Sequence, residues 1–254
     1  EALRSTGFEV IKHENVPTML DMKKIVKDFG LKIQNGGVGL FYYAGHGLQV
    51  KGANYLIPTN AEIFKEEEVE FECLDVAYVL TQMEIAHNRM NIIILDACRN
   101  NPFARSWRSA AQGLAFINAP AGTLIAYATA PGSVASDGTG NNGLYTEEFL
   151  KQIKKSGVKI EDVFKNVRVG VMERSNNLQT PWESSSLVGD FYFVGQPSST
   201  SVSEITPTLA ETNTEAIDIP QDLDLFEGFT KTASDERDFL PVIDWKAYNN
   251  VYTV

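Results

Sequence analysis

The chain is short of cysteine, short of basic charge and free of long apolar runs, and each shortage removes a class of protein. Cys73 and Cys98 are the only cysteines in 254 residues. Two cysteines without paired spacing build neither a disulfide framework nor a metal knuckle, and they suit a reducing compartment, here expected to be cytoplasmic, or a free reactive thiol. Lysine and arginine number 22 against 33 acids, a net charge of −11. A protein held to phosphates needs a basic face, so nucleic acid is not an expected partner. No stretch approaches the roughly 18 apolar residues of a membrane span, so no membrane partner is expected. There is no H-E-x-x-H pair or cysteine cluster, which leaves no metal site to propose and no cofactor to expect. Surface or packing roles are the default for His13 and His87.

What remains is ordinary for a globular protein: 22% charged and 43% hydrophobic residues, in a length that allows one large domain or one domain with an appendage. The charge is uneven. Residues 197–254 hold eleven acids against Lys231, Arg237 and Lys246, so −8 of the −11 lies there and only −3 on residues 1–196. Residues 197–216 are Ser/Thr/Glu-rich without an aromatic, the composition of a linker. Residues 217–254 mix acids with Phe226, Phe229, Phe239, Trp245, Tyr248 and Tyr252. That mixture reads either as a solubilising tail or as a segment that docks on the preceding domain or a partner.

Within residues 1–196, short apolar runs alternate with helical periodicity. Phe8–Ile11 reads as a first strand, and Pro17 opens a helix carrying Leu20, Ile25, Val26, Phe29 and Ile33 in phase until Gly36-Gly37 stops it. Val38–Ala44 is a strand, Asn54–Pro58 a short one, and Glu62–Glu72 an acid-rich surface loop. Leu74–His87 is helical, with Val76, Val79, Leu80 and Met83 inward. Strands follow at Asn91–Asp96, Gly122–Ala128 and Phe191–Val194, and helices at Leu144–Lys154 and Ile160–Met172, where Val163, Phe164, Val167 and Val171 share a face. Alternating strands and helices make this an α/β protein with a mostly parallel central sheet flanked by helices. Gly36, Gly37 and Gly39 are not a dinucleotide loop, because they follow a helix and enter a strand, the reverse of the required order.

Two of the strands end on reactive residues. Gly39-Leu40-Phe41-Tyr42-Tyr43-Ala44-Gly45-His46-Gly47 delivers a histidine between glycines, and Asn91-Ile92-Ile93-Ile94-Leu95-Asp96-Ala97-Cys98-Arg99 delivers a cysteine after an acid. Ligand sites in open α/β sheets lie beyond the carboxyl ends of the strands. A lone cysteine is more often a small buried hydrophobe, but a thiol and an imidazole at two such ends supply a nucleophile and a proton shuttle. The histidine stands about 50 residues upstream, the separation found in caspases. Tyr42-Tyr43-Ala44-Gly45-His46-Gly47, Leu95-Asp96-Ala97-Cys98-Arg99 and Tyr127-Ala128-Thr129-Ala130-Pro131-Gly132 together resemble the histidine, cysteine and substrate-strand motifs of caspase-like cysteine peptidases. The chain is most similar to paracaspases and their bacterial metacaspase and orthocaspase relatives, from residue 1 to about residue 195.

The resemblance implies a three-layer caspase-like fold and a cysteine endopeptidase acting on peptide or protein substrates. It implies His46 and Cys98 as the catalytic pair and the backbone N–H groups of Gly47 and Cys98 as oxyanion donors. The caspase pattern has Gln-Ala-Cys where this chain has Asp96-Ala97-Cys98, and a substrate-binding arginine where it has Asp137. The reversed charge implies an S1 pocket, formed by Asp96 and Asp137, for arginine and less well lysine. Ala135 and Ser136 would pair with the substrate backbone as an added strand. Arg105 and Arg108, basic and flanked by small or polar residues, are candidate self-cleavage sites. Some relatives need calcium, and the sequence leaves that dependence open. Caspase-like domains also begin one strand before the helix at Glu1-Ala2-Leu3-Arg4, so a first strand supplied by a separate segment is expected. The competing reading is a catalytically silent caspase-fold scaffold or regulatory interaction protein.

Overall fold

The computed structural model describes residues 1–34, 36–97, 110–111, 113–130, 133, 142–195 and 250–253, with the backbone alone at 110–111 and 250–253. The elements in order are α1 (Ala2–Ser5), β1 (Ile11–Glu14), α2 (Met19–Lys32), β2 (Val38–Ala44), β3 (Gly47–Val50), β4 (Ala53–Leu56), α3 (Val69–Glu72) and β5 (Leu74–Asp75). They continue with α4 (Val76–Ile85), β6 (Met90–Asp96), β7 (Ala110–Ala111), β8 (Thr123–Tyr127), α5 (Leu144–Gln152), α6 (Ile160–Arg174), β9 (Trp182–Ser185) and β10 (Asn250–Thr253). Helix starts follow local chemistry: Thr18 accepts from the Asp21 N–H at the head of α2, and Asp75 accepts from the Ala77 N–H at the head of α4.

The main sheet has the order β1-β10-β2-β6-β8-β9. β2, β6 and β8 pair in parallel, and β1 runs the same way, while β10 and β9 run against them. Period-two alternation divides the side chains between two layers. Phe41, Tyr43, Ile93, Leu95, Ile125 and Tyr127 face α2 and α4, packing with Met22, Val26, Phe29, Val76, Val79 and Met83. Leu40, Tyr42, Ile92, Ile94, Leu124 and Ala126 face α5 and α6, packing with Phe149, Val163, Phe164, Val167 and Val171. Burial on both faces is what near-continuous apolar runs such as Ile92-Ile93-Ile94-Leu95 are for, at roughly 1.5–3 kcal/mol per large aliphatic side chain. A second sheet, β5-β4-β3-β7, stands beside the end of β2.

Several boundaries differ from the sequence reading. The first strand begins at Ile11 rather than Phe8, and Leu74–Asp75 is a strand preceding α4. The expected closing strand Phe191–Val194 makes only isolated bridges, Lys159 with Tyr192 and Ser156 with Val194. Its aromatic residues instead pack onto the α5–α6 layer, Phe193 edge-on to Phe149 with centroids 5.8 Å apart. The strand beside β8 is Trp182–Ser185. The acid-rich loop contains a 3-10 turn at Glu66–Glu68 and the short α3.

Residues 1–195 by themselves leave β1 and β2 unpaired to each other. The position between them is taken by β10, antiparallel to both neighbours. The described residues of β10 belong to the same compact unit as the rest of the sheet. The linker at 197–216 and the segment 217–254 otherwise lie outside the described residues.

Candidate active site

β2 and β6 are neighbours in the parallel sheet with Tyr43 opposite Leu95 and Ala44 opposite Asp96. His46 follows the pair Ala44/Asp96 by two residues on one strand, and Cys98 follows it by two in the sequence of the other. The Gly45 N–H donates to the Asp96 carbonyl across 3.2 Å, tying the two strand ends together. The His46 backbone is fixed independently: its carbonyl accepts from the Ile57 N–H at 3.0 Å, and the buried Tyr43 hydroxyl lies 2.8 Å from the same oxygen. The His46 side chain is half-buried.

Gly47 explains itself by space. A Cβ there would stand 2.9 Å from the Ala97 carbonyl oxygen and 3.2 Å from the Ala97 Cβ. Only a residue without a side chain lets β3 approach the segment preceding Cys98 this closely. The wall beside it is held by Asn54, whose amide donates to the Ala115 carbonyl at 2.7 Å and accepts from the Ala115 N–H at 2.6 Å. This pair of hydrogen bonds holds the backbone next to Leu114, whose Cδ2 would lie 3.3 Å from a Cβ at Gly47. Asn54 is 1% exposed, and the sequence reading had given it no role beyond strand membership.

Asp96 is half-buried at the end of β6. Thr146, in the first turn of α5, donates from Oγ1 to Asp96 Oδ2 across 2.5 Å. Thr146 is in turn hydrogen-bonded to the Tyr42 hydroxyl. Neither Thr146 nor Tyr42 carries a sequence signal for a role at the site. At the third strand end, the Ala128 N–H donates to the Leu95 carbonyl at 3.1 Å, and Gln179 Nε2 donates to the Ala128 carbonyl at 2.8 Å.

The structure therefore brings His46, Gly47 and Asp96 together at one edge. Cys98, Arg105, Arg108, Ala135, Ser136 and Asp137 lie outside the described residues. The other cysteine has a different character: Cys73 is 2% exposed among Leu48, Ile57, Ile63 and Val69. Burial, with the Glu72 charge beside it, pushes its thiol far above the range where a thiolate forms. Among the described residues no group of three or more His, Cys, Asp or Glu side chains could hold a metal ion. No helix among them is long and apolar enough to cross a membrane.

This arrangement, a mostly parallel three-layer α/β domain with a histidine on the strand next to the one leading to the cysteine, is that of a caspase-like protein. The caspase domain family model matches residues 1–192, and the chain belongs to that family. It is also 29% identical over 152 residues to the human mucosa-associated lymphoid tissue lymphoma translocation protein 1, covering 60% of this chain and 18% of that protein. The homologue from Mus musculus matches equally, 29% over 152 residues, covering 17% of that protein. The chain thus spans less than a fifth of the curated relatives it matches. Membership of the caspase domain family supports a protease-type function.

Proposed function

We propose that the chain is a cysteine endopeptidase that cleaves after arginine, and less well after lysine, through a Cys98–His46 pair. The observation that supports this is the in-register pairing of β2 with β6, Ala44 opposite Asp96, with His46 and Cys98 each two residues further on in the sequence. The Cys98 thiolate attacks the scissile carbonyl carbon, a C–S bond forms, and the carbonyl π electrons move to oxygen. Backbone N–H groups of Gly47 and Cys98 receive that oxyanion. The C–N bond then breaks as His46 gives a proton to the departing amine, leaving a thioester. Water, losing its proton to His46, hydrolyses the thioester and restores the thiol. None of these steps calls for a cofactor.

Asp96 and Asp137 are proposed to receive the substrate guanidinium, whose five donors in a planar fork suit two carboxylates. Ala135 and Ser136 would pair with the substrate backbone, and Arg105 and Arg108 are positions where the enzyme would cut itself. The test is labelling with an arginyl peptide carrying an electrophile. Stoichiometric modification of Cys98 that is lost in His46→Ala is expected. A protein unmodified by arginyl and by neutral electrophilic peptides alike would be a scaffold, and the peptidase reading would be wrong.

A further inference from the structure

Asp96 sits at the end of a series of hydroxyls whose directions are fixed by donor counting. An ionised carboxylate only accepts, and threonine has one hydrogen, so Thr146 gives its hydrogen to Asp96 and must accept from Tyr42. Hydrogen bonds in series polarise one another, which strengthens the terminal one on the carboxylate. The series draws on three elements, β2, α5 and β6, and its frame is rigid. The Tyr42 ring stacks on Phe149 with centroids 6.4 Å apart and planes at 15°. Phe149 stacks in turn on Phe164 at 5.7 Å and 8°. Leu144 and Tyr145, preceding Thr146, are 6% and 1% exposed. The first turn of α5 is therefore anchored by buried side chains against the sheet. Tyr42 and Thr146 also border a cavity of about 480 Å³ whose other walls come mainly from α1, β1 and α5, with Arg4, Lys12 and Lys154 among them and without Asp96.

We infer that Thr146, backed by Tyr42, is a positioning residue for substrate selection: by holding one oxygen of Asp96 it aims the carboxylate at the arginine of the substrate. This rests on the reading of Asp96 as an acid that selects arginine. A guanidinium binds a carboxylate through directed, parallel hydrogen bonds, so a carboxylate left to rotate loses affinity for it. An ammonium group is a point charge and suffers less from the same rotation.

The experiment is steady-state kinetics of the full chain and its variants on matched arginyl and lysyl peptides, with thermal unfolding alongside. Thr146→Val should raise KM for the arginyl peptide about tenfold with kcat within about twofold, the worth of one aimed charge-assisted hydrogen bond. The preference for arginine over lysine should shrink, and Thr146→Ser should restore both. Tyr42→Phe keeps the ring stacking and removes only the hydroxyl, so it should show the same pattern more weakly, and it carries the test if Thr146→Val does not fold. A lowered melting temperature with wild-type KM and wild-type arginine preference would make the series a structural tie between helix and sheet and overturn the proposal alone. A wild-type protein that turns over peptides without preferring arginine would overturn both this proposal and the specificity reading beneath it.

Discussion

Gly47→Ala is a small change with consequences that can be sized from the structure. The added methyl group would stand 2.9 Å from the Ala97 carbonyl oxygen, 3.2 Å from the Ala97 Cβ and 3.3 Å from Leu114 Cδ2. Leu114 can turn aside, but Ala97 is backbone, fully buried, and continuous with the strand that Gly45 ties down. Overpacking of this kind costs roughly 1–3 kcal/mol. At about 2–4 °C per kcal/mol for a domain of this size, the melting temperature should fall by about 2–12 °C. The functional cost should be larger, because any retreat of Ala97 is passed to Cys98, and a displacement approaching 1 Å at a reacting group costs about a hundredfold. Peptide turnover should therefore fall about 10- to 100-fold at a temperature where the variant is folded. Gly189→Ala is the matched control, since nothing lies within 4 Å of its added Cβ. If Gly47→Ala turns over peptide at the wild-type rate, the close approach of β3 to the segment before Cys98 does not govern catalysis.

Stability should carry a signature of the α5–α6 clamp. Burial pushes the Glu148 carboxyl up, but hydrogen bonds and charges from Lys151 and Arg174, at 2.6 and 2.7 Å, outweigh it and hold the group below its ordinary range. A depressed carboxyl stabilises the fold above its unfolded value near 4.3 and loses that stabilisation as pH falls through the folded value. Glu148→Gln should thus melt lower than wild type at pH 7, with the gap closing below about pH 4 in a pH series of thermal scans; a constant gap would remove the clamp as its cause. Deleting residues 250–254 should accelerate hydrogen exchange at the alternate amides of Phe41–Ala44 that face β10 rather than β6; unchanged protection there would mean that β10 does not stabilise this edge. Incubated protein should acquire new ends after Arg105 or Arg108 by mass spectrometry while peptides are being cleaved, and intact protein under those conditions would exclude self-cleavage there.

The parts of the fold that could be read from sequence are those whose pattern is set by burial on both sides. Val38–Ala44, Asn91–Asp96 and Gly122–Ala128 are bounded apolar runs, and the buried residues of α6 fall at the helical spacing seen in the chain. Edge elements left weaker marks. β9 is Trp182-Glu183-Ser184-Ser185, polar and half-exposed, so the more apolar Phe191–Val194 drew the assignment although its rings pack against helices. The β3–β4 hairpin turns at Lys51 and Gly52, both with positive φ, and carries no Asn-Gly or Asp-Gly pair to announce itself. β10 belongs to an acidic, aromatic stretch with no alternation, and only its two neighbours reveal its place. At the site, His46, Gly47 and Asp96 could be named because motifs carry them. Thr146 and Asn54 could not, since a threonine in a first helical turn and an asparagine in a short strand are ordinary until folding sets them beside Asp96 and Ala115.

The most direct test of the central claim is kcat/KM for a matched pair of arginyl and aspartyl peptides, measured on wild type, Cys98→Ala and His46→Ala. Two charge-assisted hydrogen bonds at roughly 1.5–3 kcal/mol each, lost together with like-charge repulsion on going to aspartate, predict a preference for arginine of at least about a hundredfold. Both variants should fold and show no turnover of either peptide. Turnover surviving in Cys98→Ala, or wild-type protein cutting the aspartyl peptide as fast as the arginyl one, would contradict the account.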